Sequence, residues 1–127
     1  MTESAKILPN DIDLRVKVIF EGQLTLGPGK ADLLELIRET GSISAAGRAM
    51  SMSYKRAWSL VEEMNAAFRD PLVASARGGA QGGGAHLTEA GEAVLAHFRK
   101  LQDITAEAGA ARINALQEML KDMAHEK

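Results

Sequence analysis

The sequence contains no cysteine and no long apolar run. Without cysteine, neither a disulfide framework nor a thiolate metal site can form. No stretch approaches the roughly 20 consecutive apolar residues that a membrane-spanning helix needs, and no charged leader followed by an apolar run opens the chain. These absences predict a soluble cytoplasmic protein without a membrane partner.

The sequence also lacks a strong excess of positive charge, since the formal net charge of its 127 residues is −2. The average hides an asymmetry, because basic residues fall in the middle of the chain, while the N-terminal third and the C-terminal tail carry much of the acid. Local charge decides whether a surface contacts phosphate. The basic residues of the middle are Arg48, Lys55, Arg56, Arg69 and Arg77. Nucleic acid is therefore not excluded as a partner.

No residues have the spacing of a catalytic or metal site. The three histidines, His86, His97 and His125, lie far apart in the sequence. No nucleophile elbow, acid–base constellation or cofactor fingerprint is present. We therefore expect neither an enzyme nor a metal protein, and no cofactor bound by this chain.

The stretch from Gly41 to Phe68 predicts two helices joined by a tight turn. Ser42 is placed to cap a short helix that ends near Ala49, because a serine oxygen accepts a free amide hydrogen of the first turn. Residues 50–52 form the turn, and either Ser51 or Ser53 caps the second helix. Apolar residues of that helix recur at steps of three or four and mark one buried face, which includes Trp58: Ala57, Trp58, Val61, Met64 and Phe68.

The second helix of this pair begins with groups that suit DNA. Its first turn combines basic side chains with free backbone amides and the positive end of the helix dipole, all of which favour phosphate. A second helix whose N-terminal residues meet base edges is the docking geometry of a helix-turn-helix. Exposed, merely solvated side chains are the plainer alternative, and Ser53 fits a cap better than a base contact. The predicted DNA-contact residues of this recognition helix are Ser51, Ser53, Tyr54, Lys55 and Arg56.

An N-terminal hairpin and a helix precede this pair. Residues 12–20 alternate apolar and polar side chains, the pattern of a half-buried strand, although Ile19 breaks the alternation. Residues 21–22 predict a turn into a second short strand over residues 23–26. Pro28 suits the entry to a helix over residues 31–40, which Gly41 ends.

A second hairpin follows, with a glycine-rich loop at its tip. Residues 72–77 and His86-Leu87 predict its two strands. The loop is a linker, a phosphate cradle or a wing that follows DNA. No Gly-Lys-Ser/Thr closes it, which excludes a P-loop, and we favour the wing because glycine allows close backbone approach. The predicted DNA contacts of the first helix and the wing are Ser42, Ser44, Arg48, Arg77, Gly78, Gly79, Gln81, Gly82, Gly83 and His86.

The last predicted element is a long helix that Thr88 caps. Its apolar stripe is longer than one small domain can cover, so we expect part of it to pair with a second copy in a two-fold dimer. Such a dimer would read a palindromic operator with half-sites about 34 Å apart, or a multiple of that spacing. The predicted dimer contacts are Val94, Phe98, Leu101, Ile104, Leu116 and Leu120.

Together these elements predict a mainly α fold with small β-hairpins: a winged helix-turn-helix with a long C-terminal dimerisation helix. The predicted divisions are a flexible N-terminus (residues 1–11), the winged helix-turn-helix with its N-terminal hairpin (12–87), and the C-terminal helix (88–127).

Four separated motifs resemble one family in sequence order. They are Gly41–Ala46, Met52–Trp58, Glu63–Asn65 and Leu87–Gly91, the last of which ends the glycine-rich run. With them, the chain resembles the N-terminal DNA-binding domain of the ModE-type molybdate-responsive transcriptional regulators over roughly residues 14–101. The resemblance implies a LysR-like winged helix-turn-helix that dimerises on double-stranded DNA, with the recognition helix and the wing on the operator.

The resemblance covers only the DNA-binding part of that family. Full-length members carry C-terminal molybdate-binding domains of β-barrel type, whereas nothing after Thr88 has such a pattern. Only the family resemblance suggests that molybdate could be a ligand of this chain. The alternative to direct sensing is a separate effector-sensing protein that acts with it. Two further functions stay open: an interaction or architectural module with weak nonspecific DNA binding, and an oxyanion sensor at the dimer interface.

Overall fold

The computed structural model describes residues 7–76 and 84–121. Along these residues the elements are β1 (Val18–Phe20), β2 (Leu24–Leu26), α1 (Pro28–Thr40), α2 (Ile43–Ala49), α3 (Tyr54–Ala67), β3 (Val73–Ala76), β4 (Gly84–Leu87) and α4 (Glu89–Glu118). This order is that of a winged helix-turn-helix extended by a long C-terminal helix. The predicted fold class is confirmed. Within the described part of the chain, no helix has the length and apolar character needed to cross a membrane.

The N-terminal hairpin is shorter than its sequence pattern predicts. β1 and β2 are antiparallel, with Val18 opposite Leu26 and Phe20 opposite Leu24. The predicted strand began at residue 12, whereas β1 begins at Val18. The reason is the lack of a partner: β2 ends at Leu26 and α1 begins two residues later, so no backbone remains to pair with residues 12–17.

The hydrophobic core is built around α1. Leu33, Leu34 and Ile37 of this helix are completely buried, and they belong to one cluster with buried residues of α2, α3, both hairpins and α4. Gly41 ends α1 in the left-handed conformation (φ 72°), and its N–H donates to the Ile37 carbonyl. Glycine tolerates this φ without steric cost, so the chain turns at once into α2.

The first turns of α4 share this core. Leu95 and Phe98 are each 3% exposed and lie in the same cluster as α1. The guanidinium of Arg99 also binds α1, with Nη2 at 2.9 Å from Asp32 Oδ1 and 2.6 Å from Glu35 Oε1. The part of α4 up to Arg99 therefore packs against α1 of its own chain.

Arg99 keeps its charge in this cluster. Partial burial lowers the pKa of its guanidinium, but hydrogen bonds and attraction from Asp32 and Glu35 outweigh that cost and raise the pKa above its ordinary value. Arg38 makes a second ion pair between the same helices, at 2.9 Å from Glu92. The contact between α1 and α4 is thus apolar in its centre and charged at its edge.

The side chain of Asn65 joins α3 to β3. Its Oδ1 accepts hydrogen bonds from the N–H groups of Leu72 (2.8 Å) and Val73 (3.1 Å), and its Nδ2 donates to the Val73 carbonyl (3.0 Å). These bonds satisfy backbone groups at the point where the chain leaves α3 and enters the second hairpin. Asn65 therefore ties α3 to the start of β3.

Asn65→Ala is expected to lower the free energy of unfolding by about 2–3 kcal/mol, because each lost hydrogen bond is worth about 1 kcal/mol and two amide donors lose their acceptor. The matched control is Asn114→Ala on the exposed surface of α4, for which we expect a change within about 0.5 kcal/mol. Urea unfolding monitored by circular dichroism measures both. Equal stabilities of the two variants would contradict the assignment of Asn65 as a structural clamp.

Candidate nucleic-acid interface

The helices α2 and α3 pack unusually closely through small residues. Ala46 and Ala57 are completely buried, and a Cβ placed on Gly47 would lie 2.8 Å from the Ala57 Cβ, too close for ordinary contact. The turn is held by the Met52 N–H, which donates to the Gly47 carbonyl (2.9 Å). Ser51 adopts a positive φ of 60°. The predicted pair of helices and its tight turn are confirmed.

Serine side chains cap both helices. Ser42 Oγ accepts a hydrogen bond from the Ala45 N–H (3.0 Å) at the start of α2. Ser53 Oγ accepts from the Arg56 N–H (3.0 Å) at the start of α3. Of the two predicted caps for α3, the structure selects Ser53, whereas Ser51 lies exposed in the turn. The remaining amides of the first turn have no partner within the helix.

The first turn of α3 presents exposed basic side chains. Ser53, Tyr54, Lys55 and Arg56 are all exposed. In the described ranges, neither Lys55 nor Arg56 forms an ion pair. Both charges, together with the free amides and the helix dipole, thus favour an anion at this end of α3.

The first helix of the pair adds a third exposed cation. Arg48 Nη1 donates to Ser44 Oγ (3.0 Å) one turn earlier on α2, and no carboxylate within the described residues pairs with Arg48. Ser42 is half-buried, and its hydroxyl caps the helix. Arg48 and Ser44 can therefore contact a phosphate. The main role of the Ser42 side chain is to cap α2.

A further exposed residue of α3 was missed from the sequence. Ser59 lies one turn after Lys55 on the side opposite the buried residues of α3, and Glu62 continues this side. The i, i+4 spacing from Lys55 is the signal that would have indicated Ser59. The outward side of α3 is therefore basic and polar at its start and acidic further along.

The aromatic residues of α3 lie side by side. Trp58 is half-buried and packs against the core, as its apolar register predicts. Its ring also stacks on that of Tyr54, with ring centroids 6.3 Å apart and planes inclined by 15°. Trp58 thus connects the exposed start of α3 with the interior.

The second hairpin occupies the position of a wing. β3 and β4 are antiparallel, with Val73 opposite Leu87 and Ala74 opposite His86, and the imidazole of His86 is exposed. The Ala85 N–H donates to the Gly41 carbonyl (2.9 Å), which ties β4 to the junction of α1 and α2. The other predicted wing contacts lie outside the described residues: Arg77, Gly78, Gly79, Gln81, Gly82 and Gly83.

The predicted dimer contacts divide into buried and exposed residues. Phe98 lies in the core of its own chain, and Val94 and Leu101 are partly covered by it. Farther along α4, Ile104 is 50% exposed, Leu116 64% and Leu120 71%. These exposed apolar side chains lie in the second half of α4 and just beyond its end.

Metal-binding and enclosed polar sites are absent from the parts of the chain that the structure describes. No three potential metal-ligating side chains come together in residues 7–76 and 84–121, and no polar or charged side chain there is fully buried.

Comparison with known proteins connects this surface with a family. Residues 30–92 match the family described as bacterial regulatory helix-turn-helix protein, lysR family. Over 86 residues the chain is 40% identical to the transcriptional regulator ModE of Yersinia pestis and 37% identical to the DNA-binding transcriptional dual regulator ModE of Escherichia coli (strain K12), in each case 68% of this chain and 33% of the relative. Over 87 residues it is 41% identical to the molybdenum-pterin-binding protein MopA of Rhodobacter capsulatus, again covering 68% of this chain and 33% of the relative. The chain thus spans about a third of the length of these relatives.

Proposed function

Residues 30–92 belong to the bacterial regulatory helix-turn-helix family of lysR type, and from this premise we propose that the chain is a homodimeric regulator that reads a palindromic operator. The coarser assignment is established: the chain carries the DNA-binding domain of a ModE-type transcriptional regulator. The proposal adds three points to this assignment. It names the residues that read the DNA, it makes the protein a dimer, and it gives the protein a regulatory rather than an enzymatic role in the cytoplasm.

The proposal is carried by the start of α3. Lys55 and Arg56 are exposed, and neither has a carboxylate partner in the described ranges. They stand at the end of the helix where amides and dipole favour negative charge. In this arrangement Arg56 contacts a base edge, preferentially guanine O6 and N7, and Lys55 contacts a phosphate.

The remaining contacts position the domain. Ser44 and Arg48 of α2, with the Ser42 end of that helix, meet the DNA backbone, as the first helix of this motif does. The glycine-rich wing follows the neighbouring backbone, flanked by His86, with Arg77 as its second basic or donor group. Contacts of this kind fix the register on DNA and carry no sequence information.

Selection from a pool of randomised duplexes tests the proposal. The purified protein is incubated with the pool at moderate salt, and the retained duplexes are sequenced. Enrichment of a palindrome with two half-sites is the expected result. Absence of enrichment, with affinity that simply collapses as salt rises, would indicate nonspecific phosphate attraction and favour an interaction or architectural module.

The proposed dimer uses the distal half of α4. Leu116, in the last turn of α4, and Leu120, just beyond its end, are four residues apart and both exposed, and burial of each leucine is worth about 1.5–3 kcal/mol. In a two-fold interface every such residue counts twice. Phe98, which is buried in its own chain, is not part of this surface.

Leu116→Asp is expected to weaken the dimer by about a hundredfold or more, because each interface loses two leucines and gains two charges. The matched control is Asn114→Asp, which adds the same charge to another exposed position of α4, about 200° away around the helix. Sedimentation velocity at several concentrations measures both dissociation constants. A wild-type protein that stays monomeric at micromolar concentration would refute the dimer.

Effector sensing is proposed to lie in a separate protein or segment. A direct oxyanion site would need a nest of amides or cationic groups away from the DNA. The described residues contain no fully buried polar side chain that could form an enclosed one. Calorimetry with molybdate is expected to show no binding, and saturable heat would overturn this part of the proposal.

A further inference from the structure

Tyr54 and Trp58 form a stacked aromatic pair at the start of α3. Their ring centroids are 6.3 Å apart and their planes are inclined by 15°. The residues are one helical turn apart, at positions i and i+4, where side chains of one face meet. Their environments differ, since Tyr54 is 56% exposed whereas Trp58 is half-buried against the core.

Trp58 is one of the partly buried side chains that pack against the hydrophobic core. It lines a shallow groove between α3 and β3 together with Asn65 and Val73, and Asn65 is itself hydrogen-bonded to the backbone of Val73. The exposed ring of Tyr54 therefore stacks on a ring that itself packs against the core.

A tyrosine that is merely solvated at the start of a helix does not need its ring to be stacked on a neighbour. A solvated tyrosine gains little from its ring, whereas an aromatic ring held in advance makes contacts at low entropic cost. In the major groove, the apolar group that distinguishes thymine from the other bases is its 5-methyl. Tyr54, as the first residue of α3, stands where base edges are met in this class of fold.

We propose that Tyr54 is a specificity-determining residue whose ring contacts the 5-methyl group of a thymine in each half-site, and that Trp58 is the residue that positions it. The inference rests on the proposed function, because it requires the start of α3 to lie in the major groove. It adds the kind of base that is read and the side chain that holds the reader.

Replacement of thymine by uracil tests the contact, because uracil differs from thymine only in the missing methyl. In the enriched palindrome, each thymine is replaced in turn at both symmetric positions. At one pair of positions we expect the wild-type affinity to fall by roughly 15-fold, because each of the two lost methyl contacts is worth about fourfold. Tyr54→Ala should bind the thymine and uracil duplexes equally at that position, whereas Tyr54→Phe, which keeps the ring, should retain the wild-type ratio.

The positioning role of Trp58 is measured with the same quantity, the ratio of the affinities for the thymine duplex and the uracil duplex. Trp58→Leu keeps apolar volume against the core and removes the stack, and we expect its thymine-to-uracil ratio to fall below about threefold. Trp58→Phe, with a smaller ring, should give an intermediate ratio. In the Tyr54→Ala background, Trp58→Leu should have no further effect. The control Asn114→Ala, on the exposed surface of α4, should leave the ratio unchanged.

Both duplexes are titrated with one protein sample, so a loss of folded protein cancels in the ratio. If a palindrome is enriched but no uracil position depends on Tyr54, the proposed function stands and this inference is overturned. If the thymine-to-uracil ratio falls as far in Tyr54→Phe as in Tyr54→Ala, the hydroxyl and not the ring makes the contact, and the inference is overturned. A wild-type ratio in Trp58→Leu would refute the positioning role. A pool without any enriched duplex would overturn this inference and the proposed function together.

Discussion

Gly91→Ala is expected to destabilise the protein by about 3 kcal/mol or more, although glycine-to-alanine changes inside helices generally stabilise by up to about 1 kcal/mol. Gly91 lies in the first turn of α4, where the helix passes directly over the backbone of Leu72. A Cβ at this position would overlap the Leu72 carbonyl oxygen and press on the side chain of Leu87.

The obstacle cannot move aside easily. The Leu72 carbonyl accepts a hydrogen bond from the Thr88 N–H (2.9 Å), the Thr88 hydroxyl donates to the adjacent Pro71 carbonyl (2.7 Å), and Thr88 Oγ1 caps α4 by accepting from the Gly91 N–H (3.0 Å). Leu72 itself is completely buried. An alanine would therefore have to displace the start of α4, and with it the base of the hairpin.

Gly29→Ala is the matched control, because Gly29 is an exposed helical glycine of α1 with open space around the position of a Cβ. We expect it to stabilise the protein by a few tenths to about 1 kcal/mol. Thermal unfolding should place the melting temperature of Gly91→Ala roughly 10 °C below the wild type and that of Gly29→Ala at or above it. Equal shifts of the two variants would contradict the close contact between α4 and Leu72.

Arg56→Ala is expected to reduce discrimination as well as affinity. A bidentate contact between arginine and guanine is worth about 1–3 kcal/mol of discrimination against the wrong base. The ratio of affinities for the selected palindrome and a scrambled duplex should therefore fall by about 10- to 100-fold. Loss of a phosphate contact alone weakens binding to all sequences alike.

Two further variants separate charge from base reading. Lys55→Ala should weaken both duplexes by the same factor and reduce the salt dependence of binding, as removal of a phosphate contact does. Lys100→Ala removes one positive charge from an exposed position of α4, on the side of the helix away from Leu116, and should leave the ratio unchanged. If Arg56→Ala lowers both affinities equally, Arg56 is a phosphate contact, and base reading must come from its neighbours.

Local signals were sufficient to predict most of the fold. The apolar period of α3, the serine caps and the position of Gly41 each depend on residues within a few positions of one another, and the structure confirms them. The choice between Ser51 and Ser53 as the cap needed the structure. Both residues have suitable side chains, and only the backbone of the turn, with its positive φ at Ser51, decides between them.

Features that depend on distant parts of the chain could not be predicted in the same way. The strand pattern of residues 12–17 is genuine, but its pairing depends on where β2 ends. The apolar stripe of α4 looks continuous in sequence, and only packing shows that Phe98 is covered while Leu116 is free. Gly91 would be taken for a weak point of a helix, whereas its role depends on the carbonyl of Leu72.

The sequence predicted which residue types form the candidate site. The structure shows that the side chains at the start of α3 are exposed, and it shows nothing further about their contacts with DNA. Exposure and the lack of ion pairs at Lys55 and Arg56 are visible in the described structure, whereas contact with DNA stays a prediction. The stack of Tyr54 on Trp58 could have been inferred from their i, i+4 spacing. The stack was not predicted, because the apolar register of Trp58 favoured a position in the core.

Sequence reading by α3 is tested most directly by one ratio at physiological ionic strength, about 0.15 M. The wild-type protein is titrated with the selected palindrome and with a scrambled duplex of the same composition. The palindrome is expected to bind at least about a thousandfold more tightly, and this advantage should persist while both absolute affinities fall with added salt. A ratio near one, with the two affinities falling together, would contradict the central claim that this protein reads a DNA sequence.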